Sequence, residues 1–159
     1  MIRRAGQNGM TLVEVVIASA IAAAITAALA MVIYSLMTAT ERGNSINTTA
    51  HDVQRAVYWI SHDARMAGST DISDGDPAAS EVLLSWVDGG GNAHSSHYYL
   101  EGIELRRNYD ANIMTVAKSI TSIEFTVSGD NLNYVIESTA GRFDTSETFS
   151  GTVYFRPTA

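Results

Sequence analysis

The sequence predicts an α+β fold, with one long N-terminal α-helix, half apolar and half amphipathic, packed on a C-terminal, mainly antiparallel β-sheet domain. Three observations carry this. From Val15 to Ala39 there are 25 residues without a charge. Between Ile46 and Ala67 apolar residues recur at steps of four and three, the period of one helical face. After Gly68 apolar residues alternate in short runs divided by glycine-containing turns, the mark of half-buried strands.

Residues 1–9, MIRRAGQNG, are short, polar and basic. The uncharged run behind them covers roughly 38 Å as a helix, more than the ~30 Å hydrocarbon core of a bilayer. It is long enough to span. Arg3 and Arg4 precede it and no comparable basic cluster follows Ala39, which orients the start of the chain to the cytoplasm and the rest outward. An ordinary secretory signal has an apolar core of about 7 to 15 residues and a small-residue cleavage site. Ala18-Ser19-Ala20 imitates such a site, but a cut there leaves most of the apolar run on the product. A plain uncleaved anchor gives no reason for Glu14, since an acidic residue at the centre of a membrane helix costs about 2.5–3.5 kcal/mol.

Gly9-Met10-Thr11-Leu12-Val13-Glu14-Val15-Val16-Ile17 resembles the processing motif of type IV prepilins and the related pseudopilins. The resemblance implies a leader peptide at 1–9, cleavage between Gly9 and Met10 by a prepilin peptidase, and N-methylation of Met10 by the same enzyme. Glu14 then becomes the fifth residue of the mature chain, where that family has its glutamate. Physics supplies a matching reason: in a bundle of packed helices Glu14 faces the new amino group of a neighbour. An ion pair in low dielectric that loses its partner costs about 3–5 kcal/mol, so a misregistered neighbour is rejected. Met10 departs from the family's usual phenylalanine. Met31 stands where many major pilins carry a kinking proline, and Ala23 replaces a frequent glycine. These departures favour a minor subunit. The many alanines between Ala18 and Ala39 let helices approach closely and hold the helix in lipid less strongly than leucine would.

The helix is expected to run as an apolar transmembrane and assembly half, 10–39, and an amphipathic half, 40–67. Gly43 and Asn44 are expected to loosen the junction, and Gly68 to stop the helix. Ile46, Ala50, Val53, Val57, Ile60, Ala64 and Ala67 form its expected core stripe. At roughly 87 Å such a helix is too long for a compact domain of this size, so one half is expected to project. Alanine at several seam positions makes a weak coiled coil, and a sheet is the preferred partner.

That sheet occupies 68–159. Val82, Leu84 and Trp86 alternate, DGGGN turns, and AHSSHYYL followed by Glu101-Gly102 and IELRRN reads as a hairpin. Ile123, Phe125 and Val127 alternate again, GDN turns, and Leu132, Tyr134 and Ile136 return. Phe149, Val153 and Phe155 close the pattern, with Gly151 read as a bulge. The stretches DVQRAVYWISHDARMAG, LSWVDGGGN, YYLEGIELRR and SGTVYFRP resemble segments of W-type minor pilins and J-type type II secretion pseudopilins. This narrower resemblance implies an inner-membrane subunit that joins other minor pilins or pseudopilins, meets the inner-membrane assembly platform, and starts or caps a pilus or pseudopilus at its tip. The alternative is a membrane-anchored adhesive or ligand-binding tip module, which an exposed aromatic patch including Tyr98 or Tyr99 would favour.

Other chemistry finds little support. The chain has 10 basic and 17 acidic residues, a net charge of -7, and no basic stripe, which argues against nucleic acid as a direct partner. Without cysteine it has no disulfide framework and no thiolate metal site. Gly89-Gly90-Gly91 lies between strand signals and reads as a turn rather than a phosphate loop. His51 and His62 share a helical face but stand roughly 16 Å apart along it. His94 and His97, three apart in a strand, point to opposite faces. Asp71, Asp74 and Asp76 are residue types that calcium takes, yet their spacing misses the EF-hand pattern, and a solvated acidic loop is the preferred reading. No enzyme activity, cofactor or metal is expected.

Overall fold

The structure, a computed structural model, describes residues 10–140 and 145–157. One helix, α1 (Leu12–Met66), precedes eight strands. The chain divides after Thr40 into two units.

The first unit holds the apolar start of α1. Residues 10–37 are all exposed, and the hydroxyls within the run satisfy themselves on their own helix. Ser19 Oγ donates to the Val16 carbonyl at 2.9 Å, and Thr26 Oγ1 to the Ala22 carbonyl at 2.8 Å. Internal satisfaction of polar groups is what a hydrocarbon environment demands.

In the second unit α1 continues through Gly43 and Asn44 without a break, so the expected loosening there is not found. Strands β1 (Ser69–Thr70), β2 (Val82–Val87), β3 (Ala93–Glu101), β4 (Glu104–Tyr109) and β5 (Asn112–Ala117) make one sheet in that order. A second contains β6 (Ile120–Ser128), β7 (Asn131–Ala140) and β8 (Thr145–Tyr154). All pairings are antiparallel and join sequence neighbours. The α+β class is as predicted, but the one sheet resolves into two. After β5 the chain leaves the ladder, and the Ile120 amide donates to the Ile103 carbonyl beyond the β3–β4 turn, at 2.9 Å.

The core is built from α1 through Ala56, Ile60 and Ala64 and from the sheets through Val82, Leu84, Leu105, Phe125, Leu132 and Ile136, all with no exposed surface. Alanine on the helix lets the sheets approach, while the branched and aromatic strand residues fill the space. Val53, Ile60, Ala64 and Ala67 of the expected stripe lie in the core, but the rest of the stripe is not as predicted. Ser45, Thr49, Asp52 and Asp63 are buried, whereas Ile46 is 40% exposed and Ala50 and Val57 only half-buried. Two of the buried hydroxyls bond back to helix carbonyls, Ser45 to Glu41 and Thr49 to Ser45, each at 3.0 Å. The partners of Asp63 lie on the first sheet.

The helix stops where expected, α1 ending at Met66 just ahead of Gly68, whose amide joins the sheet by donating to the Ser85 carbonyl at 2.9 Å. One further expectation is corrected. Gly151 is not a bulge, because β7 and β8 keep one register across the Tyr134–Gly151 pair. It is glycine because the Tyr134 ring crosses it: a Cβ there would sit 2.5 Å from Cζ and 2.8 Å from Cε2. Gly151→Ala is therefore expected to destabilise the second unit by about 1–3 kcal/mol through overpacking, measured by urea unfolding, with the loss relieved in Gly151→Ala/Tyr134→Leu.

Candidate functional site

The candidate residues of the N-terminal segment are Gly9, Met10 and Glu14. Gly9, with Arg3 and Arg4, lies outside the described residues. Met10 is exposed just ahead of the helix, and Glu14 lies exposed in its first turn. The Thr11 hydroxyl accepts a hydrogen bond from the Glu14 amide at 3.3 Å, which makes Thr11 the N-cap. Thr11 and Glu14 thus stand at the spacing of a capping box, where a side-chain oxygen satisfies an amide that the helix leaves free. A carboxylate in the first turn also complements the helix dipole. The bond to Thr11 uses the Glu14 backbone amide, and the spacing Thr-x-x-Glu is that of a capping box. The helix is long and apolar enough to cross a membrane, and its apolar part is exposed.

The second unit holds a polar cluster that the sequence analysis did not single out. Asp63 on α1 receives Arg107 of β4 bidentately, Nε to Oδ2 at 2.6 Å and a terminal nitrogen to Oδ1 at 2.9 Å. Ser96 Oγ and Tyr98 Oη of β3 also donate to Oδ2, both at 2.6 Å. The Asp63 side chain has no exposed surface and that of Arg107 is only 7% exposed. Burial pushes the Asp63 carboxyl up, but the bond from Arg107, with those from Ser96, Tyr98 and His62, outweighs it and holds the group below its usual value. Tyr98 is raised by burial first and by the Asp63 charge next. The guanidinium also lies between two rings, 4.7 Å from the Trp59 centroid and 4.6 Å from that of Tyr109. The cluster fastens α1 to the first sheet. Its sequence signals were an acid set beside Ile60 and Ala64 on the helix, and an arginine sharing the inward parity of Leu105 in β4.

Tyr109 stacks on His94 at 5.8 Å and 10° between planes, and Trp86 lies 5.9 Å from both rings. His94 Nδ1 meets Asp110 Oδ2 at 2.6 Å and Nε2 meets Asp88 Oδ2 at 3.3 Å, so the imidazole bridges the β2–β3 and β4–β5 turns. Hydrogen bonds to Asp110 first and Asp88 second raise the His94 value above 6.5. Asp88 is held well below the carboxylate range, chiefly by Asn92. A raised histidine contributes stability that is full below its unfolded value and is lost as pH rises through its folded one. The turns are thus expected to loosen above pH 6.5, measured as a fall in amide protection factors, corrected for the intrinsic pH dependence of exchange, at 88–92 and 110–111, a response that His94→Gln abolishes.

The remaining candidates are scattered. His97 meets Glu81 at 3.2 Å, and His62 meets Asp63 at 3.2 Å while stacking on Tyr58. The DISDGD loop is tied down rather than merely solvated: Asp71 Oδ1 accepts from the Leu83 amide and Asp76 Oδ2 from the Ser73 amide, both at 2.8 Å. Among the described residues no three histidine or acidic side chains converge as a metal-ligand set. Tyr98, proposed for an exposed aromatic patch, is fully buried on Asp63, and Tyr99 is half-buried.

A family model described as the prokaryotic N-terminal methylation motif matches residues 4–33. No curated protein and no solved structure matches the chain. The match supports a type IV pilin-like chain processed by a prepilin peptidase, and with the apolar helix it supports membrane anchoring.

Proposed function

We propose that this chain is a minor pilin or pseudopilin, a structural subunit cut between Gly9 and Met10, methylated at Met10, and placed by Glu14 within a bundle of apolar helices. The observation that carries the reading is the methylation motif over 4–33, which ends inside the exposed, uncharged run that follows Glu14 in the helix beginning at Leu12. The first half of that helix is anchored in the inner membrane with the N-terminus cytoplasmic and the second unit outside, and the subunit then joins sister subunits at a pilus or pseudopilus tip. Met31 within the helix, in place of a proline, supports a minor rather than a bulk role, and the resemblance of the later segments to W-type and J-type subunits agrees with it.

Gly9→Val is expected to block maturation, because a branched side chain replaces the smallest residue at the scissile position. Intact-mass measurement should then find the full chain, against a wild-type product that begins at N-methylated Met10. A wild-type chain beginning elsewhere, or a variant that matures normally, overturns the reading.

A further inference from the structure

Natural sheets blunt their edges with short strands, charges, proline or a covering segment. In the second unit β1 has two residues, β5 has six and runs into Lys118, and β6 is covered where Ala79 and Phe125 exchange backbone hydrogen bonds of 2.9 and 2.8 Å. β8 has ten residues and, among the described residues, pairs on one side only. Its one charge is Glu147, and it contains neither proline nor lysine. Beside it lies a groove of about 460 Å³ whose apolar lining is Ala50, Val53, Val57, Tyr58 and Phe149, with Glu147 also on its wall. Tyr58 is 63% and Phe149 42% exposed.

We propose that β8 and this groove receive an extended segment of a different polypeptide. It adds to β8 as a further strand, sets one large apolar side chain in the groove, and carries lysine or arginine beside Glu147. In strand addition the main-chain bonds supply affinity and a side-chain pocket supplies selectivity, and here the two lie together. Charge selects the occupant. All but two of the 10 basic residues and all but one of the 17 acidic residues fall within 41–159, so this unit is acidic on balance. A second copy would bring the same acidic surface and another Glu147 to the contact, whereas a basic strand is attracted. The inference does not depend on processing at Gly9, since β8 is the same before and after a cut.

The test uses the full chain in detergent micelles and two synthetic ten-residue peptides of alternating threonine and valine around a central phenylalanine, one with a lysine near each end and one with glutamates there. The lysine peptide at saturation is expected to slow amide exchange over 145–154 by about tenfold or more while leaving β1 and β5 unchanged. The glutamate peptide is expected to bind about fivefold more weakly. Ala50→Trp, which fills the groove, is expected to weaken the lysine peptide, with unchanged exchange in β2–β4 showing that the fold is intact. Unslowed exchange in β8 or equal binding of the two peptides overturns the proposal. Protection that grows with protein concentration alone also overturns it, by giving the edge to a second copy. The N-terminal mass of the native chain, read separately, decides the processing question.

Discussion

Asp63→Ala is expected to destabilise the second unit by about 3–5 kcal/mol, because it leaves the Arg107 guanidinium buried without its counter-ion. Natural domains hold only about 5–15 kcal/mol in all, so the variant should unfold at far lower urea than the wild type, followed by circular dichroism on the full chain in detergent. Ser96 and Tyr98 lose their acceptor in the same variant, which adds to the loss. Asp63→Leu/Arg107→Met should regain most of it, since removing both charges ends the desolvation cost. A single variant losing less than about 1 kcal/mol would place the pair among ordinary surface contacts. The pH dependence has a fixed sign. Asp63 is held below 3.8, so its contribution is full above that value and lost as pH falls through the lower folded one.

Glu14→Ala is expected to leave the subunit synthesised, matured and membrane-bound, yet to reduce its incorporation into filaments by more than about a hundredfold, the equivalent of losing one desolvated ion pair. Glu14→Gln separates the two roles open to this residue. Glutamine serves a capping box as well as glutamate does, so if Glu14 acts through Thr11 alone the glutamine variant should assemble normally. If it meets a neighbour's amino group, glutamine fails as alanine does. Subunit counts in purified filaments measure the difference.

Much of this molecule was legible in its sequence where one force dominates. The uncharged run and the strand alternation are both simple partitions between water and an apolar phase, and period alone reveals them. The helix face was legible in part: Val53, Ile60, Ala64 and Ala67 are buried as the period requires, but a stripe that counts apolar residues alone passes over a specific pair such as Asp63 and Arg107. Ser45, Thr49, Asp52 and Asp63 share the buried face, while Ile46, Ala50 and Val57 are partly uncovered. β5 was missed for a different reason. Its turn places Asp110 and Ala111 at φ of 45° and 69°, and tight hairpin turns of that kind normally advertise themselves with asparagine or glycine. Alanine in the left-handed region carries no such flag. Gly151 misled in the opposite direction: the residue was noticed, but its cause was a tyrosine ring on the neighbouring strand rather than an irregular ladder.

Each strand pairs in its ladder only with the strands just before and after it in sequence, while Asp63 must wait for Arg107, 44 positions later. Low contact order favours rapid hairpin formation, so the sheets can close progressively as the polypeptide is made. The helix, made before the strands, is fastened only after the fourth strand is complete, and the open edge of β8 is ready for company only when the strands before it have set.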